Sequence, residues 1–191
     1  MEGIAAVCNA LKEVRLAESN DQATEAFIDR GKEKYPNLRF VRCNKPEEAA
    51  QGADIIVSCT AAVYPVLDQV QPERGALIID MSAPSISWEK LKKIADRMIV
   101  DDPEVFLSRR NREEEWNAKC RGESFRPMAF DTPPVTLGQV LQARQPGRLN
   151  EDEIIWCGTV GLGMEDLKAA AYVYEVARDK CLGVQVDFLD L

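Results

Sequence analysis

The chain has 191 residues, of which 46% are hydrophobic and 29% charged, and a formal net charge of −8. That length fits one domain, or one and a fraction, with enough apolar material for a core. The acidic balance argues against a nucleic-acid partner, whose phosphates need a basic face, and no apolar run approaches the ~20 residues of a membrane span.

Helical and extended patterns alternate along the chain. Residues 2–12 read as a short alanine-rich helix, and Glu13-Val14-Arg15-Leu16-Ala17 alternates like a strand that ends at Glu18. Residues 21–34 are amphipathic, with Ala23, Ala26 and Phe27 expected on one face. Residues 38–41 form the next predicted strand, and a proline-initiated helix follows at 46–50. Residues 53–59 and 76–80 are nearly continuous apolar runs, as suits central strands of a parallel sheet covered on both faces. A helix at 87–95 leads to a strand at 98–101. Residues 103–134 begin as a charged helix and dissolve into proline-containing chain, read as an excursion and not a new domain. The run Arg109-Arg110 to Glu115 within it is expected to be a solvated helix face. A strand at 153–157, a glycine-containing turn, a helix from Glu165 to about Lys180 and a terminal strand at 184–188 complete the chain. Repeated strand–helix–strand alternation predicts an α/β fold: a Rossmann-like, doubly wound, mostly parallel sheet with flanking helices. The expected division is a nucleotide-binding region at 1–160 and a C-terminal helix and strand at 161–191.

Chemistry is constrained by what is missing. There is no histidine, which removes the usual general base, Ser-His and Cys-His nucleophiles and the commonest metal ligand. The six cysteines form no C-x-x-C pair, so no metal site is expected. Cys59 and Cys157, inside strand-like runs, read as buried reduced thiols of a cytoplasmic protein. Met1-Glu2-Gly3 lacks the basic start of a signal peptide.

Ligands of doubly wound sheets sit beyond the carboxyl ends of the strands. Glu18 occupies the strand-end place from which a carboxylate holds the adenosine ribose and repels the extra phosphate of NADP, though an ordinary exposed carboxylate would read the same. Counting back, the matching glycine loop and first strand would precede Met1. Thr60 and Ala61, then Ser82, then Thr159, Val160 and Gly161 follow other strands, and such small residues allow close approach of a cofactor. The plainer reading of Gly161 and Gly163 is a tight turn, with Glu165 and Asp166 favouring the helix start. Asp101 is a weak acid–base candidate, with a helix N-cap as its plainer role.

Ala53-Asp54-Ile55-Ile56-Val57 with Thr60, Pro65-Val66-Leu67 and Gly75-Ala76 resembles a stretch of the ornithine cyclodeaminase/μ-crystallin family. So do Gly147-Arg148…Glu153-Ile154 and the block from Gly161 to Ala170, which is fairly specific. The resemblance implies a bilobal NAD(P)-dependent homodimer that deaminates ornithine or lysine, or reduces cyclic ketimines and oxo acids. It implies that Glu18 holds the ribose, Thr60 and Ala61 line the cofactor, and Thr159, Val160 and Gly161 face the nicotinamide. Glu18 implies NAD in preference to NADP, with an amino- or imino-acid substrate. It also implies that the N-terminal lobe, which carries the substrate-holding lysine and arginine, is absent here together with the first strand and the glycine loop. A homo-oligomer or a complementing chain would then complete the protein. Pro84 stands where ornithine-cyclising members carry an aspartate, which favours a reductase or dehydrogenase. A non-catalytic binding module, an inactive fragment and a shikimate-dehydrogenase-like enzyme are the alternatives, and the Gly161–Ala170 block speaks against the last.

Overall fold

The fold is taken from a computed structural model that describes residues 1–81, 85–184 and 186. Ser82 and, from the expected terminal strand, residues 185, 187 and 188 lie outside the described residues, while Val184 and Val186 belong to no strand. The chain divides into two compact units, Met1–Thr159 and Val160–Leu191.

In the first unit the order is α1 (Glu2–Val7), β1 (Glu13–Ala17), α2 (Asp21–Lys34), β2 (Arg39–Cys43), α3 (Pro46–Ala50) and β3 (Ile55–Ser58). There follow β4 (Leu77–Asp80), α4 (Trp88–Ile94), β5 (Arg97–Val100), α5 (Pro103–Arg121), β6 (Val135–Thr136), α6 (Leu137–Leu141) and β7 (Ile155–Gly158). Every pairing is parallel. Strands β1 and β2 form one ladder, and the other five run in the order β3-β4-β7-β5-β6. This is the mostly parallel, helix-flanked Rossmann-like arrangement. The apolar run of β3 predicts a central strand, but among the described residues its one neighbour is β4, so it is an edge of its sheet and Val57 is 42% exposed.

Among the described residues the last strand in sequence, β7, lies mid-sheet between β4 and β5 and carries the core. Trp156 is 2% exposed, edge-on to Phe106 at 5.5 Å and to Trp88 at 6.4 Å, with Phe130 against both Phe106 and Trp88. These aromatic contacts bind α4, α5 and β7 into one apolar cluster. Gly158, two residues on and so on the same face of the strand, is required by this ring. A Cβ there would meet Trp156 Cη2 at 2.1 Å.

At the amino end of the sheet, Arg148 and Glu153 explain the Gly-Arg…Glu-Ile pair seen in sequence. Arg148 donates from Nη1 to the carbonyls of Asn150, Glu151 and Glu153, and from Nη2 to that of Gly75. Glu153 accepts from the Leu149 amide at 2.6 Å and pairs with Arg97 at 3.4 Å. The pair is therefore architectural. It ties the entry to β7 to the entry to β4, at the far end of the strands from the expected ligand edge.

Several local expectations need correction. α1 stops at Val7, well short of residue 12. The buried face of α2 is Thr24 and Gly31, with Ala23 and Ala26 exposed, because Phe27 meets Phe40 edge-on and turns the helix toward β2. Cys59 is exposed, since the buried side of β3 ends with Ser58 and the next side chain points the other way. Asp102, not Asp101, caps α5, accepting from the amides of Glu104 and Val105 at 2.9 Å each.

The charge run on α5 is not wholly solvated. Arg110 is 4% exposed, because Phe106 one turn earlier is buried in the aromatic cluster and a residue four positions on shares its face. The same helix holds the excursion after it. Asn111 donates to the Met128 carbonyl at 3.1 Å and accepts from the Met128 amide at 2.6 Å.

The second unit is built on α7 (Gly163–Asp179), which has no buried residue and exposes Met164, Leu167, Tyr172 and Tyr174. No helix among the described residues is long and apolar enough to cross a membrane.

Candidate functional site

Parallel pairing brings the ends of four strands together. Ser58, Asp80, Gly158 and Val100 are successive lateral partners across β3, β4, β7 and β5. The residues that leave the sheet after them, Thr60, Met81, Thr159 and Asp101, therefore lie along one edge. Such an edge is where open α/β sheets bind their ligands.

Beneath this edge lies a buried polar chain. Ser58 Oγ is 2.5 Å from Ser85 Oγ, and Ser85 Oγ donates to Asp80 Oδ1 at 2.8 Å. The three side chains are at most 5% exposed. Buried hydroxyls and carboxylates keep their place by bonding one another. The Met81 amide donates to the Ser58 carbonyl and the Thr159 amide to that of Asp80, the latter at a long 3.4 Å. Sequence reasoning did not single out Ser85 or Asp80 for this network. The available signal was an aspartate closing an otherwise apolar strand.

The loop after β3 is shaped from both sides. Thr60 Oγ1 accepts from the Ala62 amide at 3.1 Å, which turns the chain sharply and leaves Ala61 exposed. Further along, Lys90 of α4 donates to the carbonyls of Leu67, Asp68 and Val70, and burial holds its pKa below the usual lysine range. The loop is consequently anchored where it returns to β4, and its small residues stay at the strand edge.

Glu18 follows β1 directly. Its Oε1 accepts from the Asn20 amide at 2.9 Å and the Ser19 hydroxyl at 3.1 Å, and these bonds, the amide first, hold its carboxyl below the ordinary glutamate range. Asn20 caps α2 through the Ala23 amide. Glu18 is thus an exposed, ionised carboxylate pinned at the start of a helix. Asp101 is 9% exposed and accepts from the Asp102 amide at 2.9 Å. Cys157, one residue before Gly158, has its thiol pushed up by burial and then by the charge of Asp101.

Thr159 is the last residue of the first unit, and Val160 and Gly161 open the second. Gly161 takes φ of 75°, the left-handed region glycine tolerates, at the approach to α7. The Leu162 amide donates to Glu165 at 3.2 Å, the helix-start role that the sequence also allowed for Glu165. Within the first unit the structure therefore sets Thr60, Ala61, Asp101 and Thr159 on one sheet edge and Glu18 at the end of β1. A cleft of about 270 Å³ lined by Trp88, Lys92, Arg97, Phe130 and Pro134 opens on the amino half of β5, away from that edge.

Known proteins resemble this chain in sequence and in fold. At 29% identity, N-((2S)-2-amino-2-carboxyethyl)-L-glutamate dehydrogenase of Staphylococcus aureus aligns over 87% of this chain and 48% of its own length. Delta(1)-pyrroline-2-carboxylate reductase of Bacillus cereus is 26% identical over 98% of this chain and 57% of its own. The chain spans about half the length of the curated relatives it matches. In fold it resembles Thermococcus litoralis Delta(1)-pyrroline-2-carboxylate reductase in complex with NADH and L-proline, with a TM-score of 0.76 at 21% identity over 96% of this chain and 56% of that one. An archaeal alanine dehydrogenase dimer with bound NAD gives a TM-score of 0.73 at 23% identity over 98% and 56%. The profile of the ornithine cyclodeaminase/mu-crystallin family matches residues 1–181, and the chain belongs to that family.

Proposed function

We propose that this chain is the nucleotide-binding part of an NAD-dependent enzyme that moves a hydride to or from the carbon bearing nitrogen in an amino or imino acid. The observation that carries this reading is the ionised Glu18 at the end of β1, in a family member whose other strand ends, Thr60-Ala61 and Thr159, share one sheet edge. NADH would supply the hydride to an imino acid, and NAD would accept it from an amino acid. The chain's own residues bind and orient the cofactor. Glu18 accepts hydrogen bonds from the adenosine ribose hydroxyls and repels a phosphate there, which favours NAD over NADP. Thr60 and Ala61 present little bulk to the cofactor. Thr159, Val160 and Gly161 face the nicotinamide, and Asp101, beside Thr159 at the sheet edge, is the nearest carboxylate for a proton. Ser82 keeps its expected place in the cofactor site on sequence grounds alone.

The sequence contains no G-x-G-x-x-G. In this reading the pyrophosphate loop follows a strand that pairs with the edges of β1 and β3 that have no partner among the described residues, and the substrate-holding groups come from a separate lobe. A homo-oligomer, or a complementing chain, completes the site. Pro84 in the position of the cyclising aspartate favours imine reduction or amino-acid oxidation over ornithine cyclisation. The test is to follow NADH consumption with a panel of cyclic and open-chain imino acids, and NAD reduction with the matching amino acids. Turnover of one such pair supports the proposal. Micromolar NADH binding with no turnover across the panel would instead favour a non-catalytic binding module.

A further inference from the structure

The two arginines of α5 that point inward were not expected from the sequence, and both end on backbone carbonyls, Arg110 on Thr159 at the sheet edge and Arg121 on Val63 in the loop after β3. Arg110 Nη1 donates to Glu113 at 2.9 Å, while Nη2 donates to the Thr159 carbonyl at 3.1 Å. Its guanidinium lies 5.7 Å from the centre of the Phe106 ring, and Phe106 is 1% exposed. Eleven residues on, Arg121 donates from Nη1 to the Val63 carbonyl at 2.5 Å and is balanced by Glu114 and Glu123. A guanidinium this buried needs its charge paired; α5 supplies Glu113 and Glu114, and Glu123 follows just past its end. The remaining donors are then available for carbonyls, a task for which the rigid fork of arginine suits better than lysine.

The Thr159 contact is the more telling of the two. β7 ends at Gly158, and the next strand-like bond, from the Thr159 amide to the Asp80 carbonyl, is 3.4 Å long. Gly158 has no side chain to anchor the turn. Because the peptide unit is planar, fixing the Thr159 carbonyl on Arg110 fixes the plane of the peptide by which the chain leaves the sheet. We propose that Arg110 is a positioning residue: through the Thr159 carbonyl it sets the backbone at the nicotinamide half of the cofactor site, without touching the cofactor. The assignment of that half rests on the function proposed above; the anchoring of the β7 end does not.

Two readouts on this chain test it, using Arg110→Gln, Arg110→Lys and, as a control, the exposed Arg112→Gln. The first is amide hydrogen exchange. Arg110→Gln is expected to speed exchange across residues 159–162 by about tenfold, the scale of one lost charged hydrogen bond, with β1 and β2 unchanged. Arg110→Lys recovers part of that protection, since one ammonium can reach the carbonyl or Glu113. The second compares NADH with ADP-ribose, which lacks the nicotinamide. Arg110→Gln is expected to weaken NADH about tenfold and ADP-ribose by less than about twofold. Unchanged exchange at 159–162, or an equal loss of both ligands, overturns the proposal. If the parent chain binds neither nucleotide, the functional reading fails, and the exchange result alone decides whether Arg110 holds the end of β7. Should Arg110→Gln not fold, Arg110→Lys carries the same comparison.

Discussion

Arg148 Nη2 donates to the Gly75 carbonyl at 2.8 Å, joining residues 73 positions apart where β4 and β7 enter the sheet. The same side chain bonds the Glu153 carbonyl at 2.7 Å. Replacement by methionine removes a charged donor from several carbonyls at once and is expected to cost about 2–3 kcal/mol. For a chain of this size that lowers Tm by roughly 4–12 °C. Thermal melting checks the loss, and nucleotide affinity should stay unchanged, because the clamp is at the opposite end of the strands from the site.

Gly158→Ala places a methyl carbon 2.1–2.9 Å from three carbons of the Trp156 ring, which Phe106 and Trp88 hold in place. Overpacking of this kind costs about 1–3 kcal/mol. Trp156→Leu alone leaves a cavity and is also destabilising. Combined, the two changes are expected to be less damaging than their sum, and a double-mutant cycle in urea measures that coupling.

Glu153 is held below the ordinary glutamate range first by the Leu149 amide and also by Arg97. A carboxyl whose pKa is lower in the folded than in the unfolded chain stabilises the fold above its unfolded pKa. That contribution fades as the pH falls through the folded value. Melting temperature should therefore drop on acidification, and Glu153→Gln should flatten the acid limb while lowering Tm at neutral pH. An acid limb of the same steepness in the variant would remove Glu153 as its source.

Asp101 and Asp102 separate a site role from a capping role. Asp102→Ala removes the α5 cap and is expected to cost about 1 kcal/mol, with little effect on NADH affinity. Asp101→Asn is expected to leave the melting temperature nearer the parent's and to slow hydride transfer to or from the nicotinamide. Equal rates in Asp101→Asn and parent would exclude it as the proton carrier.

Much of the parallel sheet was readable from short apolar runs, because buried parallel strands need apolar side chains on both faces. Residues 76–80 became β4 with almost no change of bounds. The place of Glu18 was readable too, because the alternation of residues 13–17 fixes where β1 stops and which residue follows it. The orientation of α5 was not. A run holding both charge signs looks solvated, and burial of Arg110 is decided by Phe106 one turn earlier and by partners 3 and 49 residues away. The clue lay in spacing: Phe106, Arg110 and Asn117, all buried, fall close to one helical face. The Ser58–Ser85–Asp80 chain was hidden for a related reason, because Ser58 of β3 meets Ser85, 27 residues on, only once the chain has folded back to pair β3 with β4.

Titration of the parent chain and Glu18→Ala with NADH and NADPH tests the central claim most directly. NADH is expected to bind more tightly than NADPH, and Glu18→Ala to weaken NADH by about tenfold while narrowing the difference between the two. Equal affinity for both nucleotides, unchanged by the substitution, would contradict the assignment of Glu18 to the ribose. Absence of binding by either would contradict the chain's reading as a working cofactor region.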